Sequence, residues 1–270
     1  MSDPPHRVTD RASDYIHGAT DAREIARLEK QARFVAPWSL AAFDALEGMR
    51  VLDLGTGIGA MAGEIAARFP GIELVGLDRS PAQLAVARAR HPVATYVEGD
   101  AAALPFADAS FDRVHASWLL EHVSDPMAVA REIARVLCPG GVAHIVEVDN
   151  ATLRTEPPLS IVRELMDALG AAQRAAGGDP SIGRKLRPLL EHAGFVSVEV
   201  RSLPLVGDAG DGAFFRAFVE EFAEIFESID ETLAPAMLPR IDEAAARLRA
   251  LPSITGAAIH YAPVLARAVR

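Results

Sequence analysis

One cysteine, Cys138, in 270 residues leaves no internal disulfide and no multi-cysteine zinc site. Long apolar runs are missing as well: none approaches the roughly 18 residues of a membrane-spanning helix. Basic character is scarce. There are 27 Lys and Arg against 37 Asp and Glu, a formal net charge of -10, and no Lys/Arg-rich stripe of the kind that holds a nucleic-acid backbone. Met1 to Arg7 lack an apolar h-region, and no repeat or low-complexity tract breaks the chain. These absences set the expectation of a cytoplasmic protein with no membrane and no nucleic-acid partner. What is present, 50% hydrophobic and 24% charged residues, suits one large core with helical additions.

The chain is organised around Val51-Leu52-Asp53-Leu54-Gly55-Thr56-Gly57-Ile58-Gly59. A short apolar run breaks into three glycines and then enters Ala60 to Arg68, which predicts a buried parallel strand, a tight loop and a helix. Glycines there admit positive φ and let a ligand lie against bare backbone at the positive end of the helix. A dinucleotide fingerprint spaces them Gly-x-Gly-x-x-Gly; here the order is Asp53-x-Gly55-x-Gly57-x-Gly59.

Strands and helices then alternate, as in a doubly wound parallel sheet. Ile72 to Leu77 forms the second strand and ends at Asp78, where an acid can accept from both hydroxyls of a ribose. Ser80-Pro81 starts the next helix, which runs to Arg90. Ala94 to Glu98 is the third strand, followed by Gly99-Asp100-Ala101 and Leu104-Pro105-Phe106. Ser110 to Ser117 is the fourth strand and leads to Leu120-Glu121-His122-Val123-Ser124-Asp125-Pro126. The following helix runs to Leu137, with Cys138-Pro139-Gly140-Gly141 as its stop, and Val142 to Val148 is the fifth strand.

The spacing from Asp53 to Gly59 resembles the first motif of class I S-adenosylmethionine-dependent methyltransferases. The Asp100-Ala101 segment resembles their adenine-binding segment, and the Leu-Glu-His-Val-x-Asp-Pro string is similar to quinone-biosynthesis and natural-product members. With Asp14-Tyr15-Ile16-His17-Gly18 and Glu24, Arg27-Leu28 and Gln31-Ala32 ahead of the core, the likeness runs from Tyr15 to Glu147. It implies S-adenosylmethionine as cofactor and an α/β, Rossmann-like sheet of seven mostly parallel strands whose last strand is antiparallel. The cofactor-binding positions it implies are Tyr15, Arg27 and Gln31 in the leader and Asp53, Gly55, Thr56 and Gly57 at the first loop. Further along they are Asp78, Arg79 and Gln83, then Asp100 and Ala101, then Ser117. Tyr15 covers the cofactor or merely packs; Arg27 and Gln31 share a helix face and point at its polar tail or at solvent. Magnesium-dependent catechol methyltransferases carry an acid where this chain has Ser117-Trp118, so no metal is expected despite Asp149-Asn150.

Ahead of the first strand, one amphipathic helix from Asp21 closes at Pro37 and a second spans Ser39 to Leu46. After the fifth strand come helices at Ile161 to Ala176 and Lys185 to His192, then a strand from Phe195 to Arg201. Phe214, Phe215, Phe218, Phe222, Ile225 and Phe226 make an apolar stripe at helical spacing, with a partner helix through Ile241, Ala245 and Leu248. That pair is a lid over an apolar pocket or a helix pair packed on the sheet edge. Ile259 to Val269 supplies the last strand. The expected divisions are a leader at 1–46, a core at 47–204, a helical cap at 205–254 and a final core strand at 255–270.

Methyl transfer asks the protein to position two ligands and exclude water, and a base is needed only for a protonated acceptor. His122 and His17 are the candidate catalytic residues, against a loop-fixing role for His122. His115 and His144 lie inside strands and are expected to be buried and hydrogen-bonded. The expected activity is methyl transfer to O, N, S or C of a small apolar or aromatic metabolite, in a monomer or homodimer. An NAD(P)-dependent oxidoreductase and a non-catalytic S-adenosylmethionine-binding protein are the alternatives.

Overall fold

The computed structural model describes residues 22–228 and 238–270. The alternating part folds as α1 (Ala22–Ser39), β1 (Arg50–Leu54), α2 (Ala60–Arg68), β2 (Glu73–Asp78), α3 (Pro81–Arg90), β3 (Thr95–Glu98), β4 (Phe111–Ser117), α4 (Pro126–Val136) and β5 (Leu137–Glu147). After it come β6 (Arg154–Glu156), α5 (Ser160–Ala175), α6 (Leu186–His192), β7 (Ser197–Ser202), β8 (Leu205–Gly207), α7 (Gly212–Glu227), α8 (Leu238–Ala250), β9 (Ala258–Tyr261) and β10 (Val264–Val269).

Seven strands form one sheet in the order β3-β2-β1-β4-β5-β10-β7. Pairings from β3 through β5 are parallel, and β10 runs antiparallel to both of its neighbours. Val51, Leu52 and Leu54 are buried because β1 is covered on both faces, which is why it reads as an apolar run. Helices start where the sequence marks them. Ser80 Oγ accepts from Gln83 N at 3.3 Å and Asp125 Oδ1 from Ala128 N at 2.9 Å, each followed by proline at the first helical position. The strand order reverses between β1 and β4, and the crevice there opens at the carboxyl ends of the strands.

A second body sits above that crevice. Strands β6, β9 and β8 pair antiparallel in a small sheet, in that order. Its apolar cluster joins Leu165 of α5, Phe215, Phe218 and Phe226 of α7, Leu248 of α8 and Ile259 of β9, all buried. Helix α1 closes onto it. Phe34 stacks on Phe214 with centroids 5.3 Å apart, Lys30 Nζ meets Glu224 Oε1 at 2.8 Å, and Gln31 Nε2 donates to Glu221 Oε1 at 2.6 Å.

Four expectations change. Pro37 lies inside α1 instead of closing it, and the helix expected over Ser39 to Leu46 shrinks to a single 3-10 turn at Leu40–Ala42. Proline is tolerated there because Pro37 and Arg33 share the exposed side, where water can reach the carbonyl left without its donor. The stop at Cys138-Pro139-Gly140-Gly141 lies past the helix end: α4 finishes at Val136, Leu137 is already extended, and the segment opens β5. Gly140, at φ 79°, donates its N–H to Arg270 O at 3.1 Å, which joins this irregular start to the chain end. Finally, Ile259 to Val269 is two strands. Ala262-Pro263 interrupts it, and β9 belongs to the small sheet while only β10 joins the large one.

Candidate active site

Asp53 is the last residue but one of β1 and faces inward. Its Oδ2 accepts from Thr56 Oγ1 at 2.7 Å, and its Oδ1 lies 2.8 Å from His115 Nδ1 on β4, with both side chains buried. This carboxylate holds the loop from behind and does not border the cavity, unlike its expected place among cofactor-binding residues. His115 stacks on His144, whose Nε2–H donates to Ser39 O at 2.7 Å; both are buried and bonded as expected. Burial, with His115 alongside, holds His144 down to about 4, so it is neutral. Gly59 has φ 76°, and a Cβ there would stand 2.6 Å from Tyr96 Oη, so no other residue fits the entry to α2.

Asp78 reaches across to this loop. Its Oδ2 accepts from Gly57 N and its Oδ1 from Ser80 N, each at 2.9 Å. Burial raises its pKa against those two bonds. Each oxygen keeps a further acceptor site, which suits the paired hydroxyls of a ribose. Asp100 accepts from Ala102 N through Oδ1 at 2.8 Å. The rim therefore presents two strand-end carboxylates and a glycine loop to one space, as an adenosine-type ligand requires.

That space is a cavity of about 360 Å³. Gly55, Thr56, Gly57, Asp78, Arg79 and Gln83 border it at the loop. Asp100, Ala101, Ser117 and His122 border it from the later strand ends, and Arg27 and Gln31 from α1. The structure thus brings together every expected site residue it describes except Asp53; Tyr15 and His17 lie outside the described residues. Arg27 is buried and gripped by Glu24, with bonds of 2.8 and 2.7 Å.

The far end is a chamber beneath the second body. Trp38 and Trp118 meet edge to face at 6.4 Å, and Leu169, Phe218, Phe222 and Tyr261 complete apolar walls. Trp118 has φ 52°, a conformation costing about 1–3 kcal/mol for a non-glycine residue. The turn that holds it is fixed from below. Glu147 Oε1 accepts from Leu119 N at 2.9 Å and Leu120 N at 2.6 Å. Glu121, next in line, accepts from Gln173 Nε2 at 2.7 Å and lies 3.6 Å from His122 Nε2. Burial pushes the carboxyls of Glu121 and Glu147 up; the neighbouring Glu121 pushes Glu147 further, while His122 and the Gln173 bond oppose the rise at Glu121. Burial likewise pushes Glu221 up to about 7, with Arg27 and the Gln31 bond opposing it.

Glu121, Gln173, Glu221 and Tyr261 were not singled out from the sequence. Glu221 left a trace, since it sits three residues after Phe218 and one before Phe222, an acid inside an apolar stripe. Gln173 does the same four residues after Leu169 on α5.

Fold and site together define a Rossmann-like α/β protein whose cavity lies at a strand-order reversal beneath a cap. A model described as a methyltransferase domain matches residues 52–145. Trans-aconitate 2-methyltransferase of Methylobacterium radiotolerans is 32% identical over 199 residues, 73% of this chain and 72% of the relative. Demethylmenaquinone methyltransferase of Renibacterium salmoninarum is 38% identical over 141 residues, 52% of this chain and 58% of that one. The matched segments span 58%, 40% and 43% of three such demethylmenaquinone enzymes. The chain belongs to the class I S-adenosylmethionine-dependent methyltransferase family. Among solved structures, phosphoethanolamine N-methyltransferase 2 of Haemonchus contortus, in complex with S-adenosyl-L-methionine, has a TM-score of 0.54 at 23% identity over 91% of this chain and 52% of that one. The [4+2]-cyclase SpnF has a TM-score of 0.52 at 24% identity over 94% and 87%. At these identities the likeness is one of fold, which hosts more than one chemistry. No helix among the described residues is long and apolar enough to cross a membrane.

Proposed function

We propose that the protein transfers the methyl group of S-adenosylmethionine to a small acceptor with an apolar or aromatic body. The observation that carries this reading is one cavity that joins the glycine-loop rim to an aromatic-walled chamber. A dinucleotide enzyme needs a pyrophosphate seat on the first loop; here the Gly57 N–H is already bonded to Asp78. The residues fit the family's cofactor: Asp78 offers acceptors for a ribose, Asp100 and the Ala101 amide for adenine, and Arg27 and Gln31 polar groups for a methionine tail. Bound S-adenosylmethionine supplies an electrophilic sulfonium methyl. The chain's own work is to hold the acceptor in line with that group, to keep water out, and to receive a proton where the acceptor carries one. His122, bordering the cavity beside Glu121, is placed for that proton, and Glu121 is itself fixed by Gln173.

Helices α1 and α7 roof the cavity together, which supports a covering role for the described parts of segments 1–46 and 205–254 over the 47–204 core. The family and composition favour a cytoplasmic setting. Titration calorimetry tests the reading: S-adenosylhomocysteine should bind and NADH should not. NADH binding without a response to S-adenosylhomocysteine would promote the oxidoreductase.

A further inference from the structure

The acceptor chamber gathers buried carboxyls. Glu121 and Glu221 border the cavity and are 7% and 5% exposed. Glu147 lies wholly buried beneath the same turn. Glu221 Oε1 is bonded to Gln31, but its Oε2 has no hydrogen-bond partner, and neither has Glu147 Oε2. Among the described residues that border the cavity, the basic side chains are Arg27, Arg79 and His122, the last 3.6 Å from Glu121. Arg27 is held by Glu24, and Arg79 stands beside Asp78 at the rim. Aromatic groups, Trp118 and Phe222 among them, make up much of the remaining wall.

Resting on the methyl-transfer reading, we infer that the acceptor is an organic amine that enters as its ammonium ion, its apolar body against Trp118 and Phe222 and its N–H groups on Glu221. Arg27 and Lys30 oppose the rise at Glu221 and His122 opposes it at Glu121, yet burial outweighs them, so these carboxyls are under-compensated when ionised and hold a proton against solvent when neutral. An ammonium ion removes both costs, because it brings charge and donors together, and the aromatic walls attract a cation while tolerating its hydrocarbon body. A carboxylate acceptor meets like charge at low dielectric, and a neutral alcohol leaves the carboxyls under-compensated.

The same groups complete the chemistry. An ammonium nitrogen has no lone pair, so one N–H proton passes to a neighbouring carboxylate, which leaves a neutral amine and a carboxylic acid. The freed lone pair forms the N–CH3 bond while the C–S bond breaks, its electron pair staying on sulfur. The products are an N-methylammonium ion and the thioether, with charge conserved. A carboxyl whose proton affinity is raised by burial is suited to that transfer, and Glu221 and Glu121 are both of this kind.

The test uses the full chain saturated with S-adenosylhomocysteine and three probes of similar body: 2-phenylethylamine, 2-phenylethanol and 3-phenylpropanoate. Titration calorimetry should rank the amine about tenfold or more above the other two. Glu221→Gln should erase that ranking while S-adenosylhomocysteine affinity stays within about twofold, because the charge is lost and the shape kept. Equal binding of the three probes, a preference for the carboxylate, or no amine binding to protein that holds S-adenosylhomocysteine overturns the inference. Equal loss of S-adenosylhomocysteine affinity in Glu221→Gln would assign this carboxylate to the cofactor's own ammonium group, and overturns it too. The wild-type ranking decides alone if the variant does not fold. A wild-type protein that fails to bind S-adenosylhomocysteine sinks the methyl-transfer reading instead.

Discussion

The rim and the chamber share one cavity yet are built in opposite ways. At the rim the acids stand at or just past strand ends and much of their hydrogen bonding is short-range: Ser80 N bonds Asp78 two residues away, Ala102 N bonds Asp100 two residues away, and the longest reach among the bonds of these two acids, Gly57 N to Asp78, is 21 residues. In the chamber the partners come from remote stretches. Gln31 meets Glu221 across 190 residues, Glu121 meets Gln173 across 52, and Tyr261 meets Asn150 across 111. Under the proposed methyl transfer, the nucleoside end of the cofactor site is therefore largely a local property of the sheet, and the acceptor site is a property of how the second body closes on it.

Variants that hit only one side sharpen this contrast. The largest effect belongs to Phe226→Ala, which empties a fully buried position of α7 that does not border the cavity. It should cost about 3–5 kcal/mol of stability in thermal or urea unfolding, with S-adenosylhomocysteine affinity in the folded protein unchanged. Asp78→Ala should do the reverse. Loss of a charged hydrogen bond of about 1.5–3 kcal/mol weakens S-adenosylhomocysteine binding roughly ten- to a hundredfold with the melting temperature kept. A matched loss of stability in Asp78→Ala would show that the rim is not separable from the fold.

A smaller effect reads the chamber through pH. Glu221 is held near 7 by burial, against an ordinary value of 4.5; Arg27, Lys30 and Gln31 of α1 oppose the rise and Glu224 of its own helix adds to it. The folded state keeps a proton that the unfolded chain gives up, so this group's contribution is complete below about 4.5 and is lost as pH rises through about 7. Unliganded protein should lose about 1–3 kcal/mol over that window, and Glu221→Gln should flatten the slope. A parallel slope in the variant would place the titration on Glu121 or Glu147. Smallest is Thr56→Val, which removes one hydrogen bond to Asp53 and should cost about 1 kcal/mol, shared between stability and a few-fold drop in S-adenosylhomocysteine affinity.

The same contrast explains what could be read from the sequence. The succession of strands and helices, the glycine loop and the places of Asp78 and Asp100 at or just past strand ends were legible because each is marked within a few residues by apolar runs, caps and glycine spacing. Pro37 misled, since whether a proline ends a helix depends on whether water reaches the abandoned carbonyl, and burial is a tertiary fact. The break at Ala262-Pro263 was hidden for a like reason: β9 and β10 have one pattern, and only pairing tells that they join different sheets. Asp53 was placed among the ligand contacts because it precedes the glycines, but its partner His115 lies on another strand and turns it inward. Glu121, Glu221 and Gln173 needed the closed chamber before they could be seen as one set.

The small sheet has a bearing on how such enzymes can be re-engineered. Its three strands, Arg154–Glu156, Leu205–Gly207 and Ala258–Tyr261, come from separated parts of the chain, and the last is tied to the large sheet by two residues. The cap is consequently not a cassette. Transplanting α7 and α8 from a relative would import the positions of Phe218, Phe222 and Glu221, but would leave Trp38, Trp118, Tyr261, Glu121 and Gln173 with the recipient. An exchange of acceptor preference between relatives therefore requires at least three coordinated grafts, and chimeras cut at a single junction should inherit stability problems before they inherit a new substrate.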